Sequence, residues 1–441
     1  MSSRSLVPKV LRKWPRGPLG QTQWTARSDA GGSLRSRLAE PFRDPLFLIK
    51  TAVSLGLLAA FCLAPRLFLH HPLFTQIPVS SGIPALPTPV DLAILVALAV
   101  LLLPVLVLRR PQKLLVVWCA LFAGRTVWDQ STWQPYFYQY FFMLLSLVFA
   151  ARQAGEDDAK DAAVLASDRL LVASIYVWSG LSKFNHRFLH HAIGALSPAL
   201  APLIPDRYVP WLALVMPVVE TGIGIGLLCR RSRRLAMFLA IGMHASILLA
   251  IGPLGRDYNR VVWPWNVVMI FLLVVLFRTR EGPDPPWYVS LRAPAFHRVV
   301  LVFFVLCPLS SFVGAWPAYL SFKLYSHNVH SGTIYVTSRM VETLPVRWRA
   351  EVQPTRAKPY AGYLTVPSWS ERELGAFLPP EPAIFRAVTR RLCALAPATN
   401  DVLLVLEAPP DWRTGETQKT LLDCVSLGAG TPIRSRIVGG R

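Results

Sequence analysis

Acidic residues are scarce in this chain: 25 Asp and Glu stand against 46 Lys and Arg, a formal net charge of +21 over 441 residues. Charge of either sign is thin, at 16% of residues against the roughly 25% of a soluble domain. With 53% of the chain hydrophobic, this excludes an ordinary water-soluble globule. Cysteine is also sparse: six residues, with no CxxC and no Cys/His pair at metal spacing, so zinc and dithiol redox motifs are excluded. The first 40 residues lack an apolar segment of signal-peptide type, so no cleavable signal is expected.

What is present is a series of apolar runs near the roughly 20 residues that cross a bilayer as helix. Nine spans are expected, at about 46–65, 89–108, 113–127, 135–151, 169–182, 208–229, 234–252, 261–277 and 298–316, with eight an open count because two are short. Residues 1–45 read as a basic disordered cytoplasmic tail, 46–316 as the bundle and 317–441 as a separate domain. Bases concentrate in the tail and in short loops, Arg109, Arg110 and Lys113, then Arg230, Arg231, Arg233 and Arg234. That alternation follows the positive-inside rule, whereas nucleic-acid binding needs one continuous basic face and is not expected. The loops 66–88, 128–134, 183–207 and 253–260 become outer, and 109–112, 152–168, 230–233 and 278–297 inner. Trp128, Trp133, Tyr136, Tyr138 and Tyr140 read as an interfacial aromatic belt.

An odd span number puts 317–441 outside, in the periplasm of a bacterial inner-membrane protein. TIYVTS, YLTV and DVLLVLE carry strand patterns and PPEPAIFRAVTRRLCALAP a helical one, which predicts a small α+β domain. The fold class is thus an all-α polytopic membrane bundle with a C-terminal α+β extracytoplasmic domain. Cys393 and Cys424 fall in a disulfide-permissive compartment on this topology and are expected to bridge, two buried thiols being the other reading.

Residues 171–266 carry polar groups that apolar helices could have avoided. Tyr176, Gly180 and Lys183 share one helical face. Lys183 reads either as a snorkelling lysine or as a base facing a cavity. Glu220, roughly 18 Å into its span at 1.5 Å per residue, cannot snorkel and must be protonated, paired or hydrated. His244 lies roughly 12 Å down the next span, and Asn266 follows Trp263-Pro264-Trp265 one turn into another. Each is also a residue type that clamps helices together. Arg256, Asp257 and Arg260 cap the same side, either as a solvated loop or as an anion-headgroup contact. His186, His190 and His191 have no trusted metal spacing.

The SGLSKF and PVVETGIGIGLL segments resemble the DoxX-like family, which carries G-x-x-K and P-x-x-E-x-x-x-G; here these are Gly180–Lys183 and Pro217–Glu220–Gly224. FLAIGMHASILLAIG is similar to the histidine-bearing span of the HTTM domain, the membrane domain of vitamin K-dependent γ-carboxylase and its bacterial relatives. The convergence of Lys183, Glu220, His244 and Asn266 on the outer half of successive spans predicts an outer-leaflet cavity, for a quinone or lipid-like ligand. The resemblance implies Lys183 as general base and His244 as the family histidine; beside it, the residues predict Glu220 as electrostatic partner or proton relay of Lys183, His244 and Asn266 as ligands of substrate oxygen, and Tyr176 and Arg256 as further ligand contacts. Two departures stand: Ser182-Lys183 replaces the carboxylases' paired lysines, and the C-terminal domain is far smaller. The alternative is a non-enzymatic accessory or assembly subunit in contact with membrane lipids and a membrane-protein partner, its polar groups locking helix packing.

Overall fold

The computed structural model describes residues 44–69, 73–74, 76–80, 82–152, 157–196, 205–278 and 294–428. The expected tail 1–45 lies outside them except for Asp44 and Pro45, which begin the first helix. The helices are α1 (Pro45–Leu63), α2 (Thr88–Val107), α3 (Gln112–Trp128), α4 (Pro135–Arg152), α5 (Asp157–Ser182), α6 (His186–Leu196), α7 (Val209–Leu228), α8 (Arg233–Ile251) and α9 (Val262–Phe277). A last apolar helix is composite: α10 (Ala295–Val300), a π-turn at Leu301–Leu306 and α11 (Cys307–Ser310).

Local chemistry accounts for the ends. Asp44 caps α1, its Oδ1 accepting from Leu46 and Phe47 N–H, and Pro45 occupies the first turn where no N–H is needed. In the composite helix, Pro308 has no N–H to give the carbonyls one turn before it. Tyr138 Oη and Trp178 Nε1 supply the missing donors, to Phe303 O at 2.9 Å and Phe304 O at 2.8 Å. The widened turn is thereby pinned to α4 and α5.

Every expected span falls on a helix, but six helices among the described residues are long and apolar enough to cross a membrane: 45–63, 88–107, 160–182, 206–228, 233–251 and 295–313. Residues 135–149 and 262–277 form shorter apolar helices. The expected inner loop 152–168 is corrected, because α5 already begins at Asp157. The DDAKDAAVLASD segment is rich in alanine, the best helix former, and continues the helix ahead of the expected span. The aromatic belt is corrected in part: Tyr136 and Tyr140 are buried inside the bundle. The helix carrying them, α4, packs against α1, α3 and α5, and Gly56 on α1 leaves the space that Tyr140 Oη fills.

The C-terminal part is a five-stranded antiparallel sheet in the order β2-β3-β1-β4-β5, from β1 (Ser331–Val336), β2 (Gln353–Pro354), β3 (Gly362–Thr365), β4 (Val402–Glu407) and β5 (Lys419–Asp423). Short helices α12 (Ser338–Thr343) and α13 (Val346–Arg349) follow β1, and α14 (Val366–Leu374), α15 (Pro382–Cys393) and α16 (Cys424–Gly428) complete it. Ile334 pairs with Leu364 on one side and Leu404 on the other, and Leu404 with Leu422, so alternate residues form one buried face. That face carries Ile384, Phe385, Val388 and Leu392 of α15. Gly332 is required there, since a Cβ would stand 2.7 Å from Phe385 Cγ. Cys393 and Cys424 are bridged, with Cα atoms 5.6 Å apart.

Asp401 ties the end of β1 to the start of β4, accepting from Thr337 Oγ1 (2.7 Å), Arg339 Nη2 (3.1 Å) and Ala398 N–H (2.9 Å). These donors, Thr337 foremost, hold its carboxyl below the usual carboxylate range. A depressed carboxyl contributes stability that is present above its unfolded value and is lost as pH falls through the folded one. Acidification below about pH 4 is therefore expected to loosen this corner, given an unfolded Asp near 3.9. Asp401→Asn should flatten that part of the pH dependence, as hydrogen exchange at Thr337 and Ala398 would show.

From Asp44 onward the chain is one compact unit, and the sheet domain sits on one end of the bundle. Gln134 Nε2 donates to Phe377 O, Asn185 Nδ2 to Ser326 O and Asn259 N–H to Glu371 Oε1, while Phe74 packs edge-on against Trp369. The loops expected on the outer side thus meet this domain. The basic turns at Arg109–Arg110 and Arg230–Arg231 join opposite ends of the same helices.

Candidate functional site: a buried polar cluster across α5, α7, α8 and α9

Close backbone approach builds the site. A Cβ at Gly224 on α7 would lie 2.7 Å from Ala173 O and 2.8 Å from Val177 N of α5. At Gly180 on α5 it would lie 2.6 Å from Thr221 N. Small residues at both crossings let the two helices touch through backbone, the favoured packing mode where lipid removes a hydrophobic drive. One turn beyond, the same faces carry Ser179 and Lys183 against Glu220.

Lys183 does not snorkel. It is 8% exposed, and its Nζ donates to Glu220 Oε2 at 2.6 Å, Ser179 Oγ at 2.8 Å and Ser179 O at 3.1 Å. An ammonium has three protons, and three acceptors take them. Glu220 has its partner across the helix interface, its side chain 13% exposed.

The second part is a chain of hydrogen bonds. Asn266 Nδ2 donates to Val262 O at 2.8 Å, so its Oδ1 is left to accept from His244 Nδ1–H at 2.7 Å. His244 Nε2 then carries the lone pair and accepts from Tyr176 Oη at 2.6 Å. The imidazole is a neutral bridge between α5 and α9. The Glu220 carboxylate lies within electrostatic range of both Tyr176 and His244, which links the two halves.

Five of the sequence-predicted residues, Tyr176, Lys183, Glu220, His244 and Asn266, are thus brought together. Arg256 is not among them: it is exposed in the turn after α8. That turn is held by Asp257–Arg260 pairing at 2.8 Å and by docking on Glu371. The histidines of α6 form no metal cluster among the described residues; His186 and His190 stack at 3.9 Å.

Sequence reasoning missed a second buried charge cluster. Arg125 on α3 pairs with Asp91 of α2 at 3.1 Å and donates to Phe68 O at 3.0 Å, with Asp129 Oδ2 at 3.8 Å. It also missed Ser179, and Asp168 in α5, which is fully buried. For the charged residues the signal was the one that found Lys183, an ionisable residue inside or at the edge of an apolar run; Ser179 carried no such signal.

The sequence model of a family described as methylamine utilisation protein MauE matches residues 160–262. The chain is a multi-pass membrane protein. The matched stretch runs from α5 to the start of α9 and contains Tyr176, Lys183, Glu220 and His244, with Asn266 one turn past its end. It spans less than a quarter of the chain and leaves out the sheet domain. Neither a curated protein nor a solved structure matches the chain.

Proposed function

We propose that this is a MauE-type accessory protein of the membrane, in which the polar cluster locks four helices into a rigid platform for the disulfide-bonded domain, and the domain engages a partner of the methylamine-utilisation kind. The observation that carries this reading is the saturation of Lys183, whose three protons are all held. A base needs a free lone pair, and an ammonium in a salt bridge has none. The domain is held over the bundle by hydrogen bonds from three separate loops, two through side chains and one through the Asn259 N–H, as a presenting element requires. With basic turns at the opposite end, the positive-inside rule supports a cytoplasmic N-terminus and a periplasmic domain in a bacterial inner membrane. The Cys393–Cys424 bridge fits that compartment.

A second reading makes the cluster a quinol- or lipid-handling site with Lys183 as base, Glu220 as relay, and His244 and Asn266 as ligands of substrate oxygen. The proximity of the Glu220 charge to Tyr176 and His244 favours it. It requires the ion pair to open.

A double-mutant cycle on the purified full chain, unfolded by SDS in mixed micelles, separates the two. Lys183→Met and Glu220→Leu should each cost about 2–3 kcal/mol, less than a fully buried pair because both side chains keep some exposure. The double variant should recover more than half. Single variants as stable as wild type would mean that the pair holds nothing together, and would sink the platform reading.

A further inference from the structure

We propose that a pocket at the domain-side ends of α3 and α4 holds one acyl chain of a bilayer glycerolipid, with the ester carbonyl on the indole N–H of Trp316. This site shares no residue with the polar cluster and does not depend on the reading above.

The pocket has a volume of about 300 Å³. Phe122, Phe141, Phe142, Phe303, Trp133 and Trp316 are among the side chains that line it. No charged side chain lines it, which leaves nothing to grip a phosphate, a sugar acid or an ammonium. Nearly every donor in the wall is spent internally. Thr126 Oγ1 donates to Ala123 O, Thr132 Oγ1 to Asp129 O, Trp133 Nε1 to Thr126 O and Tyr138 Oη to Phe303 O. Trp316 Nε1 is the exception: the atom is buried and has no acceptor among the described residues. Gly314, at φ 74°, turns the chain after the last helix, and the Trp316 ring comes to rest 6.0 Å from that of Phe303. A buried N–H without an acceptor is costly and calls for an occupant that brings one.

Position selects the occupant. Ala123 in the pocket lining is exposed, and so are its α3 neighbours Val116, Val127 and, on the last helix, Leu309 and Phe312. The pocket thus adjoins an apolar outer surface of the bundle, the kind of surface that bilayer lipid covers. It also lies beside the turn that meets the sheet domain, at the boundary of the apolar core, where Trp residues concentrate. A glycerolipid presents an apolar chain below this boundary and an ester carbonyl at it. The pocket demands that combination: no charge, an apolar body and one acceptor.

The test uses the full chain in detergent, delipidated and titrated with phosphatidylglycerol carrying a dibrominated acyl chain, which quenches tryptophan on contact. Saturable quenching is expected, at an affinity at least fivefold higher than for the ether-linked analogue, which lacks the carbonyl. In Trp316→Phe the ester and ether lipids should bind equally. Ala123→Phe, at an exposed helix position, should fill the pocket and weaken binding tenfold or more. Equal binding of ester and ether lipids by the wild type would overturn the proposal, and that comparison needs no variant. So would undiminished affinity in Ala123→Phe, or displacement by a short-chain benzoquinone where lipid fails to compete, which would assign the pocket to a planar ring.

Discussion

Gly224→Val is expected to unseat α7 from α5 and to remove folded protein from the membrane fraction. The first added carbon would meet Ala173 O at 2.7 Å and Val177 N at 2.8 Å, and these are backbone atoms that no rotamer change can move. The helices must separate, and the separation acts on the neighbouring turn, where Lys183 reaches Glu220 over 2.6 Å. Overpacking alone costs about 1–3 kcal/mol, and the stretched ion pair brings this to the upper end or beyond. SDS titration of the purified variant measures the loss. Gly222→Val is the control, because a Cβ there meets nothing within 4 Å. If the two variants unfold alike, the close crossing is not what holds α5 to α7.

Arg125→Met is expected to cost about 3–5 kcal/mol, the range for removing one partner of a buried charge pair. Its guanidinium serves Asp91, Asp129 and the Phe68 carbonyl, and is 3% exposed. Without it two carboxylates stay buried without a cation. Burial already pushes the Asp129 carboxyl above its usual range, with Arg125 opposing. In the variant the Asp129 carboxyl, freed of Arg125, takes up a proton more readily, so the deficit should shrink as pH falls. A carboxyl raised in the folded state favours that state at low pH, which gives the direction. Unfolding curves at pH 5 and 8 would show it. Addition of Asp91→Asn and Asp129→Asn to Arg125→Met should restore most of the stability at pH 8. A pH-independent deficit would mean that lost packing, not unpaired charge, sets the cost.

Much of this architecture was legible because apolar runs and intruding polar groups are local signals. α1, α2, α7 and α8 follow their hydropathy to within a few residues, and the strand patterns around Ile334, Leu364 and Leu404 are those of the sheet. The polar cluster was legible too, since Lys183, Glu220, His244 and Asn266 each stand out from an apolar neighbourhood. Their pairing was not. Which acceptors take the Lys183 protons depends on the crossing of α5 and α7, and that crossing is set by what Gly180 and Gly224 lack. Arg125 and Asp91 escaped notice because each lies near a helix end, where a charge reads as interfacial; only the packing of α2 against α3 makes them buried. Tyr136 and Tyr140 misled for the same reason in reverse, since an aromatic near a span end is a belt residue only if its helix faces lipid.

The docking of the sheet domain on loops made long before it also sets an order of assembly. Gln134, Asn185 and Asn259 leave the ribosome well ahead of Phe377, Ser326 and Glu371, the partners that complete their hydrogen bonds. Until α14 is translated, the socket that Phe74 offers to Trp369 stays open and the bundle shows an apolar, half-satisfied face. Synthesis from the N-terminus thus makes the domain the closing piece. A chain that stops before residue 316 carries the whole polar cluster and displays, on the side of the missing domain, the surface by which quality control recognises an unfinished membrane protein.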